Sequence, residues 1–181
     1  MTMNAQQCND ERGQKSFARQ LALIRRIGPD LLALQETDSA RVSLNNNDYV
    51  RRFAEALGYH SYYGPRTTAG TYGTAILSRY PLEGARAEAE RHAILLGDYN
   101  KKPDGEPHRV VAASFTNAWE AWRAEVAARG GSEPAGPADR DRIDHIFLSA
   151  GIVVVEAGYV LPPDSATDHP VRWARLAFPG G

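Results

Sequence analysis

The chain has 181 residues, of which 43% are hydrophobic and 24% charged, the composition of a soluble globular protein long enough to bury its own core. Its 21 Lys and Arg against 22 Asp and Glu give a formal net charge of −1, so any polyanion has to be held by a local basic patch and not by the overall field. Cys8 is the only cysteine, which excludes an intramolecular disulfide and a multi-cysteine zinc centre, and no stretch reads as a membrane span or a signal peptide, so the expected protein is a cytoplasmic monomer without membrane insertion.

In chain order, residues 1–7 read as a first strand. Phe17, Leu21, Ile24 and Ile27 recur at helical spacing before Gly28-Pro29, which predicts an amphipathic helix over 14–27. Residues 31–34 form a short apolar strand that ends at Gln35-Glu36. Asn47 or Asp48 caps a second helix in which Tyr49, Phe53 and Leu57 share a face and Gly58 is the stop. Strand character recurs at 60–63, 74–77, 93–96, 143–148, 152–155 and 171–173, whereas 117–129 reads as a helix and 129–139 as a long Gly- and Pro-rich surface loop. Helices and strands mixed in this way imply α/β layers around a sheet, in a single domain over 1–181.

Polar chemistry gathers where the strands stop. The strand at 31–34 runs into Glu36, and that at 93–96 into Asp98 and Asn100; in open α/β sheets the ligand crevice lies beyond such carboxyl ends. Taken singly, Glu36 is an ordinary solvated strand end and Gly97-Asp98-Tyr99-Asn100 an ordinary turn. Asp144 sits inside the apolar Arg142-Ile143-Asp144-His145-Ile146, where a carboxylate needs a partner, either a histidine or Arg142 and backbone. Thr167-Asp168-His169-Pro170 stands before the last strand. Hard oxygen ligands such as Glu36 and Asp168, without a cysteine cluster, favour Mg²⁺ or Mn²⁺. Such an ion, with a carboxylate to orient water and a histidine to face phosphate oxygens, suits phosphoester hydrolysis. No Gly-x-Ser-x-Gly elbow, Walker loop or dinucleotide fingerprint occurs.

The pieces Met3-Asn4, Leu34-Gln35-Glu36, Ala75-Ile76-Leu77-Ser78-Arg79-Tyr80-Pro81-Leu82, Gly97-Asp98-Tyr99-Asn100, Arg142-Ile143-Asp144-His145-Ile146-Phe147 and Thr167-Asp168-His169-Pro170 follow one another in the chain. In that order they resemble the endonuclease/exonuclease/phosphatase superfamily, and the first eighty residues look closest to a branch found in proteins of GPI-lipid remodelling. The resemblance implies a reduced four-layer α/β sandwich. It implies Asn4 and Glu36 at a metal with Asp168 assisting, Asp98 orienting the attacking water, Asn100 holding the phosphate, His169 contacting the scissile phosphate and Asp144 orienting His169. The expected activity is a Mg²⁺- or Mn²⁺-dependent phosphodiesterase of low sequence specificity acting on nucleic acid, chiefly DNA and including single strands. Lys101, Lys102 and Arg66, with Arg140, are expected to supply the local positive field, although each also reads as a solvated surface charge. Tyr62, Tyr63 and Tyr72 are candidates for base stacking or for the core.

A phospholipid or inositol-phosphate phosphohydrolase and a binding module without turnover are the alternatives. The stretch between Pro81 and Ala93 is short for the family and lacks its Thr-His or Asn-His motif, for which only His92 or His60 is at hand. Residues 82–92 fit one short crossover helix.

Overall fold

The computed structural model describes residues 1–38, 47–63, 72–82, 92–100, 103, 105–138 and 142–179. Among them the strands are β1 (Thr2–Asn4), β2 (Leu31–Asp38), β3 (His60–Tyr63), β4 (Tyr72–Ser78), β5 (Ile94–Asp98), β6 (Thr116–Asn117), β7 (Asp144–Leu148), β8 (Val153–Val160) and β9 (Val171–Ala177). The helices are α1 (Phe17–Ile27), α2 (Tyr49–Leu57), α3 (Glu106–Ala112) and α4 (Ala118–Ala128). This is a mixed α/β fold, with a six-stranded sheet ordered β3-β4-β2-β1-β9-β8 and a three-stranded sheet ordered β5-β7-β6. No helix among the described residues is long and apolar enough to cross a membrane.

Two compact units divide the chain. The N-terminal unit holds Met3–Ala85 and Pro162–His169; the C-terminal unit holds Met1–Thr2, Arg86–Leu161 and Pro170–Gly181.

In the N-terminal unit, Gly28 and Gly58 stop α1 and α2 in left-handed conformations with φ of 61° and 67°, as expected of glycine at that position. Asp48 is the cap of α2 and accepts from the Arg51 N–H. Helix α1 buries Gln20, Leu23 and Ile24, so its inner face is turned from the expected one and includes a polar residue. Phe53 is fully buried, along with Leu32, Leu34 and Leu77, and its ring lies 4.7 Å from that of Phe17; burial of such a side chain is worth roughly 1.5–3 kcal/mol. Strand β2 pairs antiparallel with β4, in register from Leu31 and Ser78 to Leu34 and Ala75, then slips before pairing resumes at Thr37 and Gly73. The expected end of the strand at Glu36 is therefore a bulge within a longer strand. The expected strand over 1–7 is confined to Thr2–Asn4, after which Gln6–Cys8 forms a single 3-10 turn.

In the C-terminal unit, β5 and β6 flank β7, all antiparallel. Ala118, Ile146 and Leu148 form its buried centre, with Ile94, Leu96, Ile152, Val154 and Leu176 packed around them. Strands β8 and β9 are longer than their sequence signals, and α3 and β6 were not expected. Gly158 on β8 faces Trp173 on β9; a Cβ there would lie 2.7 Å from the indole, so no larger residue fits without displacing it. The crossover helix expected over 82–92 falls on residues that, from 83 to 91, lie outside the described ones.

Candidate active site

In the N-terminal unit, hydrogen bonds link Asn4 to His169 and, through Gln6, to Asp168, while the backbone carries Glu36 past the end of β1. Asn4 is the buried last residue of β1. Its Oδ1 accepts from the Gln6 N–H at 3.0 Å, which fixes the amide so that Nδ2 faces the Nε2 of His169 at 3.4 Å. An amide nitrogen only donates, so this ring nitrogen is the acceptor and the ring proton sits on Nδ1. The Ala5 N–H donates to the carbonyl of Gln35 at 2.9 Å, which sets Glu36 against the end of β1. Glu36 itself stands at φ 47°, a left-handed conformation costly for a side chain other than glycine. Gln6 donates to Asp168 Oδ2 at 2.8 Å, and Thr167 donates to the Asn4 carbonyl at 2.8 Å.

Behind this set stands Gln20, fully buried. Its amide nitrogen lies 3.1 Å from the Ala5 carbonyl, 3.0 Å from the Ala166 carbonyl and 2.9 Å from Ser16 Oγ. It thereby ties together the segments that carry Asn4 and Asp168. The only signal for Gln20 in the sequence is a long polar side chain within the apolar pattern of α1.

The C-terminal unit carries Asp98 at the end of β5, opposite Asp144 at the start of β7. Each offers a carboxylate oxygen within 4.8 Å of the other's. Asp144 is buried, 2% exposed, and Asp98 is half-buried. Asp98 Oδ1 accepts from the Asn100 N–H at 2.7 Å; Asn100, exposed and at φ 51°, closes the turn. Two carboxylates at this separation can take one divalent cation between them.

Beneath Asp144 lies a buried polar group that the sequence does not announce. Arg172 is 1% exposed and donates from Nη1 to the Asp144 carbonyl at 3.2 Å and from Nη2 to Asn117 Oδ1. Burial pushes its guanidinium below the ordinary value, yet an arginine stays charged. Asn117 Oδ1 also accepts from the N–H of Trp119 at 3.1 Å as the cap of α4, so Nδ2 is the atom that faces His108 Nε2 at 3.3 Å and His145 Nδ1 at 3.2 Å. Those two ring nitrogens therefore accept from the amide. Arg142, also buried, pairs with Glu120 at 3.0 Å.

Asn4, Glu36 and Asp168 carry oxygen donors of the kind a hard divalent cation takes, and the carboxylates of Asp98 and Asp144 lie close enough to each other to share one. Lys101, Lys102, Arg66 and Arg140 lie outside the described residues. Tyr62 is 63% exposed, whereas the Tyr63 hydroxyl donates to the Thr37 carbonyl at 3.2 Å. His60 is exposed on β3, and His92 packs edge-on against Phe178, ring centroids 6.1 Å apart.

The model of the Endonuclease/Exonuclease/phosphatase family matches residues 1–169, and the chain belongs to that family as a short member. Members are hydrolases of phosphoester bonds and generally depend on a divalent metal. Among solved structures, the chain is similar to an endonuclease/exonuclease/phosphatase from Beutenbergia cavernae, with a TM-score of 0.74 and 17% identity over 98% of this chain and 70% of that one. It is similar to a family protein from Leptotrichia buccalis, with a TM-score of 0.70 and 13% identity over 98% of each chain. A mannosyl-6-phosphatase from Bacteroides thetaiotaomicron gives a TM-score of 0.60 and 16% identity, again over 98% of each chain. At these identities the likeness is one of fold.

Proposed function

We propose that the protein is a divalent-metal-dependent phosphodiesterase that cleaves nucleic acid, chiefly DNA, with low sequence specificity. The observation that carries this reading is the register pairing of Asp98 with Asp144, which places two shielded carboxylates within 4.8 Å of each other in a family of phosphoester hydrolases.

Asn4, Glu36 and Asp168 would hold Mg²⁺ or Mn²⁺, which would supply Lewis acidity at the phosphoryl oxygen. Asp98 orients the attacking water and takes its proton. Asn100 holds a phosphate oxygen by hydrogen bonding. His169 would contact the scissile phosphate, with Asp144 proposed as the residue that orients it. Lys101, Lys102 and Arg66 add positive charge toward the strand.

Incubation of the purified protein with plasmid, labelled oligonucleotides, phospholipids, inositol phosphates and mannose 6-phosphate, with and without Mn²⁺, tests this. Metal-dependent cleavage of DNA is expected. Turnover of only a lipid or a phosphomonoester would replace the nucleic-acid reading, and binding without turnover of any substrate would make the chain a binding module.

A further inference from the structure

The loop from Asp10 to Lys15 is held in shape by its own hydrogen bonds. Asp10, 5% exposed, accepts from the N–H groups of Arg12 at 2.9 Å and Gln14 at 2.8 Å, and takes the guanidinium of Arg19. Its own N–H donates to the Gln14 carbonyl, and Gly13 N–H donates back to the Asp10 carbonyl, both at 2.8 Å. The Asp10 charge is thus committed to folding the loop. Arg12 and Lys15 are exposed and have no carboxylate partner among the described residues. The Lys15 ammonium rests over the Tyr49 ring, 5.6 Å from its centroid.

Arg12, Lys15 and Arg19, with Asp10, Glu11 and Thr167, line a cleft of about 390 Å³. Once Arg19 and Asp10 have cancelled, the remaining lining charges leave an excess of one positive charge. Thr167 connects this cleft to the candidate metal set: its side chain donates to the Asn4 carbonyl at 2.8 Å and the next residue is Asp168.

We propose that the cleft binds a second, non-scissile phosphate of a nucleic-acid strand whose neighbouring phosphodiester lies at Asn4, Glu36 and Asp168. The Arg12 fork and the Lys15 point charge are the two standard ways of gripping phosphate oxygens. The loop is ordered beforehand, so little conformational freedom is lost on binding. A phosphomonoester offers one phosphate and fills one site, whereas a polynucleotide offers phosphates in series and fills both. The cleft therefore rests on the phosphodiesterase reading and deepens it, by making strand binding depend on residues that touch no reacting atom.

The test is the double variant Arg12→Ala, Lys15→Ala, which leaves the Arg19–Asp10 pair in place; its thermal midpoint establishes that it folds. Anisotropy of a labelled single-stranded oligonucleotide in EDTA reads binding without turnover. Kd is expected to rise about tenfold or more, and the dependence of log K on log salt to flatten by about 0.7 for the lost phosphate. Hydrolysis of bis(p-nitrophenyl) phosphate, which has a single phosphate, is expected to be unchanged, while KM for the oligonucleotide rises and kcat holds.

Unchanged Kd and salt slope would overturn the proposal. So would an equal loss on the single-phosphate ester, which would place Arg12 and Lys15 at the scissile group. Inositol polyphosphate binding that needs Arg12 and Lys15, with no such need for the oligonucleotide, would overturn the choice of ligand. If no phosphodiester is turned over by the wild type, the activity reading fails while the anisotropy still decides the cleft.

Discussion

The N-terminal unit carries its candidate site groups on backbone bent out of regular geometry, whereas the C-terminal unit carries its pair on an unbroken ladder. Gln6, Gln7, Cys8, Glu36 and Ala166 all stand at positive φ, from 44° to 58°, in the segments that carry Asn4, Glu36 and Asp168, whereas in the C-terminal unit Asn100, at 51°, lies past the end of the strand. Asp98 and Asp144 instead face each other in the plain antiparallel register of β5 and β7. Their problem is burial of like charge, and the buried Arg172 cation lies behind them, on the Asp144 carbonyl. One unit thus places its ligands through strained conformation that packing and Gln20 must hold, the other through electrostatic support from below. The difference teaches where each half is vulnerable: the first to loss of hydrogen bonds around a loop, the second to loss of a buried charge.

The most direct way to break both halves is to remove a charge from each. Glu36→Gln and Asp98→Asn should each lower kcat/KM by at least ~10²-fold while the variants stay folded. Wild-type turnover by either variant would remove that residue from the chemistry. Asp144 and His169 sharpen the comparison because they come from different units. If they act as one device, the double variant Asp144→Asn, His169→Ala should be little slower than the worse single variant, whereas additive losses would show two separate roles.

Stability separates the units next. Arg172→Met leaves the Asp144 carbonyl and Asn117 Oδ1 short of a donor, and Gln20→Leu does the same to Ala5 and Ala166, so each should cost about 1–3 kcal/mol in urea unfolding. Hydrogen exchange should place the first loss around β7 and α4 and the second around Gln6–Cys8. Glu36→Gly should go the other way, gaining up to about 1 kcal/mol from the relieved left-handed residue while losing activity. A loss of stability in that variant would mean that the Glu36 side chain does more than occupy a strained place.

The smallest effects lie at the extremes of pH, one for each unit. Backbone hydrogen bonding, chiefly from Gln14 N–H, together with the Arg19 guanidinium holds the Asp10 carboxyl below its ordinary value. The unfolded chain therefore takes up this proton first as pH falls, and the stabilisation present above pH 3.8 is lost below it. Burial pushes the Tyr159 phenol up against the opposing pull of Arg172. Above pH 10.0 the unfolded phenol ionises while the folded one keeps its proton, so stability falls as pH rises. Asp10→Asn should flatten the acid limb of a stability profile, and Tyr159→Phe the alkaline limb.

Local chemistry was legible in the sequence because it needs only neighbours. Asp48 before α2, the glycines after α1 and α2, and the apolar runs of β2 and β7 are each decided within a few residues. Helix α3 escaped because seven residues that include Pro107 give too short a period to read. The bulge at Glu36 escaped because it depends on register with β4. Arg172 carries no local sign of burial in Val171-Arg172-Trp173, and only the fold brings it to Asn117, 55 positions away, and to His145. The candidate carboxylates and His169 could be named from short motifs, but the groups that hold them, Gln20, Asn117 and Arg172, could not, since their partners are distant in the chain.

The single cysteine gives the N-terminal unit a clock of its own. Cys8 is 1% exposed, at the end of the turn after Asn4, with its carbonyl taking the Ser16 N–H at 2.8 Å. A thiol reagent can reach the sulfur only when that turn opens, so the rate of its modification, at reagent concentrations where the rate no longer rises, times the opening of the segment between Asn4 and Asp10. No introduced label is needed, and an oligonucleotide seated against Arg12 and Lys15 should slow the reaction in proportion to the fraction of chains that hold it.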